Sequence, residues 1–264
     1  MMVNLLVRGM LVGAISGVLV LLFAEIFGEP QVDRAIAFEE QSAAAEHEHG
    51  MAGPSGVEAA GGHSHEAEEE LVSRGVQSTV GLGTAVIAYG AAIGGLFALT
   101  FAAIYGRLGS LGPQATAALL AAIGFVAVYL VPALKYPPSP PAVGNPDTIG
   151  LRSGLYLLMI VCSLVALAVA ARLRPRFVAS HGAWNGAVLA VAVYLVLVVL
   201  AQLVLPTINE VPENFSATVL WGFRMASVGM QLILWLGLGL GFGFLMERFL
   251  GTTSRARSPG LAVG

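Results

Sequence analysis

Long apolar stretches alternate with short polar ones along the chain, and the pattern predicts six membrane-spanning helices. Each stretch has the length of about 20 residues that a helix needs to cross roughly 30 Å of hydrocarbon. Short alternating segments, which a barrel would require, are not seen, and long apolar runs in lipid must satisfy their backbone hydrogen bonds internally. We therefore predict an all-α, polytopic membrane helix bundle. Its six spans are approximately 3–27, 76–105, 115–134, 151–171, 184–205 and 219–249.

These spans divide the chain into four parts. The first transmembrane helix occupies 1–27, and we expect it to be retained rather than cleaved as a signal peptide, because no clear small-residue cleavage site follows it. An acidic, His/Glu-rich loop, expected to be partly disordered, occupies 28–75. Five further helices fill 76–249, with proline-rich outer loops at 135–150 and 206–218, and a disordered cytoplasmic tail ends the chain at 250–264.

Charge is distributed unevenly between the two sets of helix ends, and this predicts the orientation. Eight of the thirteen Lys and Arg residues lie at one set of ends and five at the other. Basic residues favour the cytoplasmic side. We therefore predict that both termini are cytoplasmic and that the long polar loop is outside, an arrangement that requires an even number of spans. Fifteen of the sixteen acidic residues fall on the predicted outer side, although acidic residues carry little weight in this rule.

The outer polar loop carries four of the five histidines as two His-x-His pairs beside glutamates. Imidazole with carboxylate suits borderline divalent metals, and a His-rich tract can wrap such an ion without a preformed cage. The alternative is a solvated acidic linker whose histidines are incidental. The predicted metal ligands are His47, His49, His63, His65, Glu46, Glu48 and Glu66.

A second group of polar residues lies at the predicted outer ends of the helices. Charges at membrane depth are costly and indicate function by default. In the last span, Trp221, Arg224, Val228, Gln231 and Trp235 share one helix face. This face indicates either a pathway lining or an interfacial anchor of Trp and Arg with one interhelical hydrogen bond from Gln231. Since an arginine repels a bare dication, we expect Arg224 to pair with an outer carboxylate, from Glu25, Glu210 or Glu213. The candidate vestibule residues are Glu25, Glu29, Asp147, Glu210, Glu213, Arg224 and Gln231.

Several classes of function are disfavoured by the residues present. Lys135 is the only lysine and follows no glycine-rich phosphate loop. His181, the only histidine outside the polar loop, has no serine partner inside the bundle, and no HExxH motif occurs. A membrane enzyme acting on lipid would need an acidic cluster at the cytoplasmic face, where only Glu247 lies. We expect no enzyme, and no basic, aromatic-rich patch indicates nucleic acid.

Small residues at four-residue spacing predict where helices pack closely. Gly9, Gly13 and Gly17 share one face of the first span, and Gly90 and Gly94 share one face of the second. Such faces let helix backbones approach each other in lipid. They indicate assembly rather than chemistry.

The proline-rich loops and their flanks resemble the CbtA family of predicted cobalt transporter subunits. The first loop matches it at 134–137 and 140–150, and the second at 209–212 and at Phe215. Further similarity lies in 220–224, 226–227 and Gln231, and near the N-terminus at 8–9, 28–30 and 35–39. The similarity extends from the first helix to about Phe249.

The resemblance implies a multi-pass protein of the bacterial inner membrane that takes part in cobalt transport for cobalamin biosynthesis. It implies a small single-span, histidine-containing partner, CbtB, and Co²⁺ as the transported ion, with Ni²⁺ or Zn²⁺ left open and no tightly bound cofactor. The family is generally described with about five spans, whereas the sequence predicts six. A homo-oligomer is possible, and the alternative function is a non-transporting scaffold or accessory subunit with a metal-buffering loop.

Overall fold

The structure, a computed structural model, describes residues 2–50, 80–107, 109–141 and 143–256, with side chains described for 2–44 and up to Leu250. This part of the chain is helical and contains no strand. The helices are α1 (Met2–Phe23), α2 (Glu29–Gly50), α3 (Leu82–Ile104), α4 (Pro113–Gly124), α5 (Val131–Lys135), α6 (Ile149–Val204), α7 (Ala217–Leu236) and α8 (Gly243–Ala256). The predicted all-α membrane bundle is confirmed.

Three π-helical turns join these helices into longer rods. Ala24–Gly28 joins α1 to α2, Phe125–Leu130 joins α4 to α5, and Gly237–Phe242 joins α7 to α8. In the first two rods a proline, Pro30 or Pro132, is the second residue after the π turn. A proline inside a helix lacks an N–H group and crowds the preceding turn. The wider turn lets the helix continue past the ring.

The longest helix, α6, folds back on itself at Gly182. This residue has φ 80° and ψ 170°, which breaks the helix and favours glycine. The hydroxyls of Ser163 and Tyr194 lie 2.9 Å apart across the turn, whereas a straight helix would separate these two residues by about 46 Å. The segments 149–181 and 183–204 are therefore antiparallel arms, and they match the predicted fourth and fifth spans.

In the part of the chain that the structure describes, five helices or rods are long and apolar enough to cross a membrane, and the helical hairpin counts as one of them. They are Met2–Ala44, Leu82–Ile104, Pro113–Lys135, Pro146–Val204 and Ala217–Leu250. The hairpin arms measure about 50 Å and about 33 Å at 1.5 Å per residue, so each reaches across about 30 Å of hydrocarbon. Six crossings and cytoplasmic termini stay predictions.

The predicted glycine faces of α1 and α3 meet each other. A Cβ atom on Gly13 would overlap the carbonyl oxygen of Gly90, and one on Gly9 would overlap that of Gly94. The two backbones touch directly. Close approach of this kind replaces, in lipid, the hydrophobic drive that packs helices in water.

The main core lies between α1, α3, α4 and the rod formed by α7 and α8. Phe101 and Phe242 are almost fully buried there, with ring centroids 5.2 Å apart in an edge-to-face arrangement. Gly237 packs against Ser16 of α1, and Gly239 against Ala121 of α4. Gly237 and Gly241, four residues apart, therefore face α1, whereas Gly239 and Gly243 face α4.

The bundle has two distinct ends. At one end, Arg8 of α1 stacks on the Phe249 ring of α8, with 3.7 Å from the guanidinium carbon to the ring centroid. At the opposite end, the Tyr136 hydroxyl contacts the Pro206 carbonyl. The Gly182 turn lies far from that end. We call the end with Arg8 the arginine end and the end with the two proline-rich loops the loop end.

The start of the long polar segment is helical rather than a loop. The segment 28–75 is predicted to be a polar loop, but the helix runs through the π turn and continues as α2 to Gly50. Pro30 does not end the helix, because the wider π turn Ala24–Gly28 before it accommodates the ring. The rod from Met2 to Ala44 is about 64 Å long, so it extends well beyond one hydrocarbon layer.

Candidate functional site

The two proline-rich loops, 135–150 and 206–218, bind each other at the loop end. Lys135 Nζ donates a hydrogen bond to Thr207 Oγ1 at 2.8 Å. The Tyr136 hydroxyl donates to the Pro206 carbonyl at 2.8 Å. Proline-rich segments are stiff and extended, so a few contacts are enough to hold the two loops together.

Glu210 of the second loop is the centre of these contacts. Its Oε2 accepts hydrogen bonds from the Asn145 backbone N–H at 2.8 Å and from the Thr148 hydroxyl at 2.9 Å. Arg152 Nε lies 3.5 Å from the same oxygen, an ion pair without hydrogen-bond geometry. The Thr148 hydroxyl above all, then the Asn145 N–H and the Arg152 charge, hold the pKa of Glu210 below its usual range. The carboxylate is therefore ionised, and its Oε2 is occupied by these three groups.

The first loop is shaped to present these donors. Asn145 Oδ1 accepts from the Asp147 N–H at 2.9 Å and so caps the short 3₁₀ turn Pro146–Thr148. Gly144 has φ 112°, and a Cβ atom there would meet the Arg152 guanidinium. Both its conformation and its position require glycine. The loop thus wraps the arginine, whose terminal nitrogens face the carbonyl oxygens of Val143 and Asn145 at 3.5 Å and 3.3 Å.

Helix α2 covers both loops from the side. Ala35 is buried with Val143 of the first loop and Phe215 of the second. The rings of Phe38 and Phe215 lie 5.0 Å apart, edge to face. One cap therefore brings together stretches that resemble the CbtA family and are far apart in sequence, namely 35–39, 140–150, 209–212 and Phe215.

Beneath this cap lies a cavity of about 610 Å³. Its wall comes from both loops, from the first two turns of α6, from α7 and from the π turn before α5. Most of the wall is apolar or aromatic, and its charged residues are two arginines and one glutamate. The lining residues are Tyr129, Tyr136, Pro137, Pro138, Ser139, Val143, Ile149, Arg152, Ser153, Tyr156, Leu157, Ile208, Asn209, Glu210, Val211 and Arg224.

Of the predicted vestibule residues, the structure brings Glu210 and Arg224 to this cavity. Glu25, Asp147 and Glu213 are exposed and do not line it. Nor do Glu29, which is partly buried, and Gln231, which lies further along α7.

The predicted ion pair of Arg224 is not formed. Within the described part of the chain, its Nε instead donates to the Pro138 carbonyl of the first loop at 3.3 Å. Of the three carboxylates expected to serve it, Glu210 pairs with Arg152 and with the donors of the first loop, and neither Glu25 nor Glu213 forms an ion pair with it. The predicted interhelical hydrogen bond of Gln231 is likewise not seen among the described residues.

The predicted metal ligands fall outside what the structure describes. The backbone of His47, His49, Glu46 and Glu48 belongs to the last turns of α2, but their side chains are not described, and His63, His65 and Glu66 lie in 51–79. Among the described residues, no three His, Cys, Asp or Glu side chains are grouped so as to hold a metal ion. The metal-capture prediction stays a prediction.

Sequence reasoning missed the three tyrosines of the cavity. Tyr129 is 7% exposed, and its hydroxyl has no hydrogen-bond partner in the described part of the chain. Tyr136 and Tyr156 also line the cavity. Tyrosines near span ends are typical of the membrane interface, so their positions gave no signal. One sequence feature could still have identified Tyr129: Pro132 follows it by three residues, and a proline inside a span marks a widened turn.

The fold and the cavity define a class: a polytopic helical membrane protein with a polar cap and a cavity at one end of the bundle. A family model described as a probable cobalt transporter subunit (CbtA) matches residues 2–247. The chain belongs to the CbtA family. Neither the curated proteins nor the solved structures include a match to the chain.

Proposed function

We propose that this chain is the membrane subunit that captures Co²⁺ outside the bacterial cytoplasmic membrane and passes it into the helix bundle. Membership of a family of probable cobalt transporter subunits is the observation that carries the proposal. The proposed capture segment contains His47, His49, His63 and His65 and follows the membrane-spanning part of the first rod. Imidazole and carboxylate ligands suit Co²⁺, and they suit Ni²⁺ and Zn²⁺ nearly as well.

The geometry of the loop end supports this route. Helix α2, which leads into the His/Glu segment, packs through Ala35 on the two proline-rich loops. Helix α2 therefore carries the chain directly from the cap to the start of the His/Glu segment. We propose that the loop end faces outwards and that the arginine end, with both termini, faces the cytoplasm, in keeping with the distribution of basic residues.

The described cavity does not supply a dehydrated cation site on its own. Its one carboxylate, Glu210, is occupied by Arg152, Thr148 and Asn145. We therefore propose that further ligands come from the His/Glu segment and from a small, single-span, histidine-containing partner of the CbtB type. Entry of Co²⁺ would be driven by the membrane potential, which contributes about 2.3 kcal/mol per charge per 100 mV.

The test is uptake of radioactive cobalt into vesicles that contain the purified chain, alone and with the small partner. A variant with His47, His49, His63 and His65 changed to alanine should take up less cobalt at low concentration. His181→Ala, an exposed histidine beside the Gly182 turn, is the matched control and should transport normally. Equal uptake by the four-histidine variant and the control would contradict the proposed capture step. No uptake by any preparation, with or without the partner, would contradict cobalt transport by this chain.

A second candidate is a scaffold or accessory subunit whose His/Glu segment only buffers metal. It is favoured by the composition of the described helical core, whose buried polar residues are the hydroxyl-bearing Ser16, Thr116 and Ser163. Charged groups that mark ion pathways within spans are not among them. Cobalt binding to the purified chain, together with partner-driven uptake that does not change when the histidines are removed, would favour this candidate.

A further inference from the structure

The helical hairpin 149–204 has a core of its own. Met159, Ala166 and Ala170 of its first arm are buried together with Tyr194 and Val198 of its second arm. Among the described residues, none from the hairpin belongs to the main core or packs against it. In the described part of the chain, 17% of the hairpin's most apolar stretch is buried, against 28–33% in the other four spans. The two arms therefore form one packed body beside the main core.

The rod of α4 and α5 contacts both of these bodies, but at different places. Gly124 packs against the Trp235 indole of α7, and Val128 packs against the main core. Three residues further on, Val131 is buried in the hairpin core. Its carbonyl also accepts a hydrogen bond from Gln202 of the second arm at 3.4 Å. The rod therefore changes from one body to the other between 128 and 131.

This change of partner coincides with an irregular part of the rod. The π turn Phe125–Leu130 ends directly before Val131, and Pro132 follows. Helices bend sharply at prolines and at π turns, and a proline lacks the N–H of a regular helical hydrogen bond. Hinges between rigid bodies are a few residues that absorb a change in backbone dihedral angles. Residues 129–132 have these features and lie where a hinge between the hairpin and the main core would be.

The cavity of about 610 Å³ lies between the two bodies. Arg152, Tyr156 and Leu157 line it from the first arm of the hairpin, and Arg224 lines it from α7, whose later residues are part of the main core. Tyr129, at the start of 129–132, contributes to the wall between them. A rotation of the hairpin about 129–132 would therefore change the width of the cavity.

Two contacts at the loop end oppose such a rotation. Arg224 Nε donates to the Pro138 carbonyl of the first loop at 3.3 Å. Arg152 Nε of the hairpin lies 3.5 Å from Glu210 Oε2 of the second loop, which leads into α7. The two side chains of this ion pair are 30% and 22% exposed, and partly exposed pairs contribute little each. Such contacts can hold one arrangement and still break and form again.

We propose that the hairpin is a gate, which rotates as one body about 129–132 to open and close the cavity and is held closed by the pair of Arg152 and Glu210. The rotation itself does not depend on the ligand, whereas its role in the passage of Co²⁺ rests on the proposed function. At 1.5 Å per residue, Ser180 lies about 32 Å along the helix from Met159, which shares the hairpin core with Val131. A rotation of about 15°, as in known rigid-body switches, would move the Gly182 turn by about 8 Å.

The experiment measures distances between pairs of spin labels on the full-length chain in lipid bilayer discs. Cys162 is first changed to alanine, and cysteines then carry the labels at exposed positions. Labels at Ser180, beside the Gly182 turn, and at Ser110, between α3 and α4, report on the hairpin relative to the main bundle. Labels at Asn4 of α1 and at Ser110 both lie on the main bundle and form the control pair. The first pair should show two populations of distances, and the control pair one.

Matched variants then test the ion pair. Glu210→Gln removes the charge that faces Arg152. It should raise the ratio of the second population to the first about fivefold, as expected for losing one charged contact. Glu213→Gln changes an exposed carboxylate of the same loop that forms no ion pair in the described part of the chain, and Arg174→Met changes an exposed arginine near the Gly182 turn. Both should leave the ratio unchanged. Loosening of the loops alone would not move the distant turn, so this readout separates a gate from a flexible cap.

Access to the cavity is measured by a second reaction. Tyr156→Cys places a thiol in the cavity wall of the chain that lacks Cys162. Its rate of reaction with a water-soluble maleimide should rise about fivefold when Glu210→Gln is added, in step with the population of the open state. Adding Glu213→Gln should not change the rate.

Each other outcome would overturn the proposal. One narrow distance between 110 and 180, in the unmodified chain and in Glu210→Gln alike, would show that the hairpin is fixed. Two populations in the control pair would place the movement in the main bundle instead of at 129–132. Equal maleimide rates in the two glutamine variants would show that the ion pair does not control the cavity. All these measurements are made without cobalt, so their failure and a failure of cobalt uptake are distinguishable.

Discussion

Arg152 Nε and Glu210 Oε2 lie 3.5 Å apart, and this ion pair joins the helix after the first proline-rich loop to the second loop. Arg224, on the helix after the second loop, reaches in the other direction and donates to Pro138 of the first loop. Each loop is therefore held by the arginine that follows the other one. The two loops form a single cap because of this exchange.

Replacing Arg152 by methionine should loosen the cap. The variant loses the ion pair to Glu210 and the contacts to the carbonyl oxygens of Val143 and Asn145. Hydrogen bonds to a charged group are stronger than neutral ones, and the partial exposure of this ion pair weakens its contribution without abolishing it. Limited proteolysis should then cut within 135–150 or 206–218 sooner than in the unmodified chain. Equal protection in this variant and in Arg174→Met would contradict the role of the pair.

The cap should also open in acid. The pKa of Glu210 in the folded chain lies below the ordinary glutamate value of about 4.3, so the carboxylate binds protons more readily after unfolding. Its contribution to stability is complete above that ordinary value and is lost as the pH falls through the lowered one. Glu210→Gln removes the titration. The unfolding temperatures of this variant and the unmodified chain should differ at neutral pH, and the difference should start to shrink below the ordinary glutamate value of about 4.3 and vanish below the lowered pKa. A difference that did not shrink at any acidic pH at which the chain stays folded would rule out Glu210 as the titrating group.

Gly13 should not tolerate even one added methyl group. A Cβ atom there would overlap the carbonyl of Gly90, so Gly13→Ala must push α1 and α3 apart. Overpacking of this kind costs about 1–3 kcal/mol. Gly154→Ala is the matched control, because a Cβ atom at that helical position meets nothing within 4 Å. The control should be neutral or stabilising by up to about 1 kcal/mol. Equal unfolding temperatures for the two variants would disprove the tight crossing.

The helices could be predicted from the sequence because lipid imposes a simple rule. Long apolar runs located the spans, and the glycine spacing of Gly9, Gly13, Gly90 and Gly94 located a crossing that the structure shows. The helical state of α2 could not be predicted. Its polar composition is compatible with a solvated loop, and only its packing through Ala35 and Phe38 on the two loops shows why it is ordered.

The site was harder to predict, because which side chains pair with each other depends on their distance in the folded chain. Glu210 and Arg224 were both identified as charged residues of the outer helix ends and loops, yet Glu210, one of three carboxylates expected to pair with Arg224, pairs with Arg152, which the first loop holds in place around Gly144. That the Tyr129 hydroxyl lacks a partner could not be predicted, because this depends on neighbours known only from the structure. The His/Glu ligands stay a prediction from composition.

The fold-back at Gly182 makes a prediction about topology. If both hairpin arms cross the membrane, the Gly182 turn lies on the side opposite the proline-rich loops. The free cysteine, Cys162, is first changed to alanine. Single cysteines then replace Ser216 in the second loop, Ser110 between α3 and α4, and Ser180 beside the turn, all of which are exposed. A membrane-impermeant maleimide applied to intact cells should label the cysteine at 216 alone, and the other two should react only after the cells are permeabilised. Labelling at 180 together with 216 in intact cells would mean that the hairpin does not cross, and the cysteine-free chain gives the background.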